Sequence, residues 1–375
     1  MFHSVGNSDS DWNQHWLSVS LNHFESFCQY LQRNNYRTVF LDEWYESSPS
    51  SRNNKCIALT FDDGYLDNWV YAYPLLQKYG LKGTIFVNPE FVDPSENVRY
   101  NLEDVWKGTC HYDVLESLGF LNVKEIQTMD RSGIMDIQNH SMSHNFYFNS
   151  DELIDYYEGQ DDYYWLAWIE RPDRKPFWIT EDQKDYISEG YPIFQYGRAL
   201  GLRRFFPSEH FIESFISEYW NSKGSLRARE KLFKLVADYK KRYDCIGRYE
   251  NDQELGERYR YEIFESKRVL EEILNKQINF ICWPGGGYND LSIRLSIEAG
   301  YKASTVSSWD KQYNTAHSGP YKRIKRFGLN SFLVFKDRRY YIRNRKHLIH
   351  LFLSKSGNKY YKNMLRFKKY LFVVK

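Results

Sequence analysis

The sequence is poor in the features that would assign it to a class at once. Five cysteines in 375 residues (Cys28, Cys56, Cys110, Cys245 and Cys282) are scattered and odd in number, with no Cys-x-x-Cys pair. That pattern argues against a disulfide framework or a cysteine zinc site and fits a reducing compartment. No apolar run reaches the roughly eighteen residues that a membrane span needs. Net charge is almost absent too: 51 Lys plus Arg stand against 49 Asp plus Glu, so the total favours no polyanionic partner. No basic-then-apolar leader precedes the first strand, and the expectation is a cytoplasmic protein.

What is present is apolar and aromatic mass, 42% and 18% of the chain, enough for a sizeable core. Charge is unevenly placed. From Tyr321 to the end seventeen Lys or Arg face one acid, Asp337. SVSLNHFESFCQYLQRNN has helical spacing and RTVFL reads as a strand. KCIALTF is a continuous apolar strand ending in DDG, LDNWVYAYPLLQKYG a helix closed by Gly80, and GTIFVN the next strand. The alternation returns late, as ERYRYEIFESKRVLEEILNK, INFICW, LSIRLSIEAG and YKASTV. Strands alternating with helices predict βαβ units in a parallel sheet or barrel, an α/β fold. Residues 145–254 interrupt this rhythm and read as a mainly helical insertion. Residues 331–375 read as a basic, aromatic C-terminal tail.

Three stretches, each after a predicted strand, carry candidate chemistry. TFDDG puts Asp62 and Asp63 at a strand's C-terminal end, where one carboxylate can bind a cation and its neighbour can act as a base. HSMSH spaces His140 and His144 so that both imidazoles can meet one metal, and one Asp with two His leaves a coordination position for water. WPGGG, Trp283 to Gly287, lets backbone approach a ligand; the Lys and Ser or Thr of a phosphate loop are missing. Each stretch alone also has a bland reading: an Asp-Gly turn, two unrelated surface histidines, a glycine-rich turn. Arg203 and Arg204 are adjacent and stand as a grip for phosphate or an acidic sugar, against a solvated face.

In order, these stretches resemble the polysaccharide deacetylase family, the NodB-like carbohydrate esterases, nearest to the permuted poly-N-acetylglucosamine deacetylase branch. The resemblance runs from Met1 to about Val306 around the insertion. It implies a distorted (β/α) barrel over residues 1–330 and metal-dependent removal of an acyl group, generally acetate, from an N-acylated sugar. Asp62 would be the general base; Asp63, His140 and His144 would hold a divalent ion, with zinc the expected metal. Trp283, Pro284, Gly285 and Gly286 would lie at the substrate and oxyanion site. In the permuted branch an N-terminal strand ending in histidine supplies the general acid, and MFHSV resembles it, which makes His3 the expected acid. HLIH, His347 to His350, lies beyond the last recognisable strand. The third motif departs from the family: Cys282 or Trp283 stands where its Arg is usual. The expected partner is a poly- or oligosaccharide or its lipid- or nucleotide-linked precursor. The basic tail suggests peripheral contact with an anionic membrane at its cytoplasmic face, and nucleic acid is not expected. Rival readings are a deformylase of a lipid-linked amino sugar and a non-catalytic glycan-binding relative.

Overall fold

KCIALTF, continuous in its apolar pattern, breaks in two. In the computed structural model, which describes residues 1–8, 10–47, 55–243, 245–308, 321–335 and 338–371, Cys56–Ile57 pairs with Arg37–Thr38 while Thr60–Phe61 (β1) enters the main sheet. The other strands of that sheet are Gly83–Val87 (β2) and Met135–Asn139 (β3) before the insertion. After the insertion strands Phe146–Tyr156 (β4) and Pro192–Arg198 (β5), the sheet resumes with Phe280–Cys282 (β6), Ala303–Ser307 (β7) and Lys322–Arg326 (β8). The order is β8-β7-β6-β3-β2-β1 with every pair parallel. Parallel sheets are covered by their crossover helices, so their strands carry apolar side chains throughout. All five residues of β2 are buried.

The N-terminus closes the gap between the first and last strands. Phe2 N–H donates to Thr60 O (2.8 Å) and Asp62 N–H to Phe2 O (3.0 Å); on the other side Leu329 N–H donates to Met1 O (3.0 Å) and the Met1 nitrogen to Phe327 O (3.0 Å). The Phe2 ring lies 5.3 to 6.0 Å from those of Phe24, Phe27 and Phe61. Burying one phenylalanine fully is worth about 2 to 3 kcal/mol, enough to hold an end that would otherwise fray. Phe24 and Phe27 come from Leu21–Arg33 (α1), capped by the Ser20 side chain and buried through Phe24, Phe27, Cys28 and Leu31, one helical stripe.

The insertion has a core of its own. Its second half is helical as expected, in Glu209–Ser222 (α2) and Ala228–Tyr243 (α3). Its first half also holds a long antiparallel pair, β4 and β5, that the sequence reading did not foresee. Phe148, Trp165, Phe194, Phe205, Phe211 and Phe215 are buried in this second core. Beyond it the chain returns to the barrel through Ser266–Leu274 (α4), preceded by a π-helical turn over Tyr261–Glu265.

The segment from Ser331 is likewise more than a tail. Phe332–Phe335 pairs with Arg338–Tyr341, and His347–Lys355 (α5) and Lys359–Leu371 (α6) follow. Leu348, Leu351, Phe352 and Leu365 join the barrel core, with Phe352 against Phe27 at 5.4 Å. The spacing of 348, 351 and 352 is the apolar stripe of a packed helix. No helix among the described residues is long and apolar enough to cross a membrane.

Candidate active site

The C-terminal ends of the barrel strands surround one cavity of about 1050 Å³. Asp62 and Asp63 follow β1, His140 follows β3, Trp283 follows β6 and Arg326 ends β8; all of them, with His3, His144, Gly285 and Gly286, line it.

Asp63 Oδ1 lies 3.1 Å from His140 Nε2 and 3.3 Å from His144 Nε2. It is buried and has no hydrogen bond of acceptable geometry among the described residues. The His140 ring is oriented from its far side, where Nδ1–H donates to Cys282 O at 2.9 Å, so in the neutral ring Nε2 carries a lone pair. Two acceptor atoms facing each other at this distance need a cation or a proton between them. Burial opposes charge on His140, but Cys282 and Asp63 outweigh it and hold its pKa well above the usual imidazole value. Ligand atoms each about 2.0 Å from a tetrahedral zinc lie about 3.3 Å apart, close to the two separations observed. The residues present therefore fit a divalent ion held by Asp63, His140 and His144.

The backbone supports this convergence. Asp63, Ser141 and His144 have φ of 73°, 63° and 54°, left-handed values that non-glycine residues rarely adopt and that cluster at functional sites. The Ser141–Ser143 loop is clamped from two directions. Glu262, in the π-helical turn, accepts from the Met142 and Ser143 amides (3.1 and 3.0 Å) and from the Ser143 hydroxyl. Lys175, from the insertion and fully buried, donates to Ser143 O (3.1 Å) and pairs with Glu90.

Asp62 is held by a partner that sequence reading missed. Arg326 grips it with two parallel bonds, Nη1 to Oδ1 (2.7 Å) and Nη2 to Oδ2 (2.8 Å), and also donates to Thr60 Oγ1 (3.0 Å) and Cys282 Sγ (2.8 Å). Burial pushes the Asp62 pKa up, but Arg326 outweighs it and the group lies below the ordinary carboxylate value. Arg326 ends the strand two places along the sheet from the one that precedes the third motif. The available signal was the strand-like KRIKR, in which Ile324 and Arg326 share a face. His3 Nε2 stands 4.0 Å from Asp62 Oδ2, and the His3 carbonyl is held by Asn68 Nδ2 donating to it (3.0 Å).

In the third-motif loop, Trp283 is buried, stacks on Tyr288 (5.7 Å) and also lines the cavity. Pro284 is buried and borders a small adjoining pocket, not the main cavity. The amides of Gly286 and Gly287 close the turn onto Trp283 O and Pro284 O. The glycines admit Arg198: a Cβ on Gly285 would fall 2.3 Å from its Nε, and one on Gly287 2.2 Å from its Cβ. Arg203 and Arg204 do not reach the cavity. Arg203 bonds Glu250 O and Asp252, and Arg204 packs over Tyr147 and Phe206. His347 is buried against His23 in the C-terminal helices, outside the site.

Residues 50–162 match the family model for polysaccharide deacetylase. "Putative polysaccharide deacetylase YxkH" of Bacillus subtilis (strain 168) is 39% identical over 92 residues, 23% of this chain and 30% of that protein, so the match spans less than a third of the relative's length. Among solved structures, the de-N-acetylase from Aggregatibacter actinomycetemcomitans superposes with a TM-score of 0.50 at 15% identity, covering 90% of this chain and 95% of that one. The BpsB deacetylase domain from Bordetella bronchiseptica gives 0.44 at 16% identity over 75% of each chain. The first of these likenesses extends over nearly the whole chain and concerns the fold.

Proposed function

We propose, for a chain that belongs to the NodB-like polysaccharide deacetylase family, that it hydrolyses the N-acetyl group of an amino sugar within a glycan or glycan precursor, with a divalent ion, zinc first, at Asp63, His140 and His144. The observation that carries this reading is the convergence of the two Nε2 atoms on one orphaned buried carboxylate oxygen beside a second, arginine-held carboxylate.

A bound divalent ion supplies Lewis acidity, lowering the pKa of water at the site and polarising the acyl oxygen. The rest is the work of the chain. Asp62, ionised at neutral pH because Arg326 outweighs its burial, takes the proton of the attacking water. Arg326 fixes both oxygens of Asp62, so the base is already oriented when the sugar arrives. An amine leaves only after protonation, and His3, beside Asp62, delivers that proton. The side chains of Trp12, Trp168, Trp178 and Trp283 line the cavity. Rings that pack against sugar faces suit a carbohydrate.

The test is to incubate the zinc-loaded protein with N-acetylated oligosaccharides and nucleotide sugars and measure acetate. Release is expected, and His3→Ala should lower turnover by about two orders of magnitude while zinc stays bound. No release from any acylated sugar by protein shown to hold zinc would overturn the hydrolase reading. Undiminished turnover in His3→Ala would remove the acid assignment alone.

A further inference from the structure

Arg198 ends β5, in the insertion stretch that also holds Arg203 and Arg204, and it is the arginine of the three that enters the cavity. Its guanidinium carbon lies 3.7 Å from the Phe146 ring centroid, and two glycines of the third motif leave it room. Its Nη1 meets Nδ1 of His144 at 3.2 Å. Arginine has no acceptor atom, and a neutral His144 whose Nε2 lone pair faces a metal carries its proton on Nδ1, so this contact gives the guanidinium neither an acceptor nor a negative charge. Among the described residues no carboxylate lies within ion-pair distance of Arg198, in contrast to Arg326 on Asp62. The nearest acid at the site, Asp63, faces the two imidazoles.

A guanidinium partly withdrawn from water without an anion is costly, and the cost is recovered when an anion arrives. The acids at the cavity rim do not provide one. Asp161 is paired with Lys184 (3.0 Å) and Glu181 with Arg174, while Asp11, Asp162 and Asp182 are exposed, where water and salt screen them. Arg339, stacked over Trp16 at 4.2 Å, adds a second positive group to the same lining. Arg198 touches the His144 nitrogen that points away from Asp63. In the hydrolase reading this places it next to the acyl group, where it would meet a neighbouring substituent.

We propose that Arg198 is a specificity residue that binds an anionic group, a carboxylate or a phosphate, carried by the acylated sugar. This rests on the sugar-hydrolase reading only for the identity of the carrier.

Calorimetric titration of the metal-free full chain tests it, because without metal phosphate has no ion to bind and nothing turns over. The probes are N-acetylglucosamine, N-acetylglucosamine 1-phosphate and a disaccharide of N-acetylglucosamine and glucuronate. At least one charged probe is expected to bind about tenfold or more tighter than the neutral sugar, and which one does so separates phosphate from carboxylate. Arg198→Gln should bring that ratio to about one, and Arg198→Lys, which keeps the charge without the planar fork, should leave an intermediate ratio. Equal affinity for all three probes in the native protein overturns the proposal, as does a preference that survives unchanged in both variants. Zinc-loaded protein that releases no acetate would sink the hydrolase reading and leave this binding result standing.

Discussion

Barrel and insertion meet at one cavity, and they bring charge to it differently. From the barrel, Asp62 arrives with Arg326 already on it, and Asp63 arrives between His140 and His144. Each pairing joins the end of one strand to that of another in the same sheet, so the rigid scaffold fixes the distance. From the insertion, Arg198 arrives with no carboxylate, and Lys175 passes beneath the cavity to hold the Ser143 carbonyl. The difference separates two tasks. In the proposed reading the barrel sets which reaction is possible, whereas the insertion selects what enters and holds the Ser141–Ser143 loop from outside.

The comparison breaks hardest if the barrel set does not act as a unit. Asp63→Ala and His140→Ala are each expected to abolish zinc retention on dialysis and lower acetate release by about three orders of magnitude. Variants that retain stoichiometric zinc would place the ion elsewhere. Arg326→Met comes next. With the guanidinium gone, burial is left to act on Asp62 and pushes its pKa up, so the acid limb of the kcat/KM profile should move to higher pH. Turnover at neutral pH should fall about a hundredfold with zinc content unchanged. An unmoved acid limb would mean that Asp62 is not the titrating base.

On the insertion side the expected effect is smaller and of another kind. Lys175→Met frees the Ser143 carbonyl and leaves Glu90 without its buried partner. Zinc affinity should weaken by about tenfold to a hundredfold, the usual cost of losing an outer support of a metal ligand, while saturating zinc restores most of the rate. Competition with a chelating dye measures this, and an unchanged affinity would show that the insertion does not brace the loop.

The same divide governs what could be read in the chain itself. Asp62, Asp63, His140 and His144 were legible because each pair is local and follows a strand whose apolar run is visible. Arg326 bonds a residue 264 positions away, and it sits in a basic run where one arginine looks like the next. Arg198 and Lys175 lie in aromatic sequence with no local pattern to mark them. The β4–β5 pair was missed for a physical reason: its register shifts between Phe148 and Leu153 and again before Asp155, which destroys the two-residue alternation that identifies a strand. His3 was legible only through the family resemblance, since it lies in no strand: Met1 and Phe2 before it are fixed by backbone bonds to the segment after β8 and to Thr60 and Asp62, and the two-residue strand Ser4–Val5 after it pairs with Ser18–Val19.

That N-terminal segment also carries the mildest way to sharpen the comparison. Asp67 is buried beneath it and accepts from the Ser4 hydroxyl, Asn7 Nδ2 (2.9 Å) and Asn68 Nδ2 (3.1 Å), with no cation in ion-pair distance among the described residues. Burial, only partly offset by these donors, pushes its pKa up to about 7, whereas in the unfolded chain it titrates at about 3.9. Below that lower value both states hold the proton. Between the two values the folded protein keeps a proton that the unfolded chain has released, so stability falls as pH rises, by about 4 kcal/mol once the folded pKa is passed. Asp67→Asn removes this titration, and its urea midpoint should stay level between pH 5 and 8 where that of the native protein declines. Curves that run parallel would exonerate Asp67. A native decline that tracks falling turnover at saturating zinc would instead tie its proton to the placement of His3, whose carbonyl is held by the neighbouring Asn68.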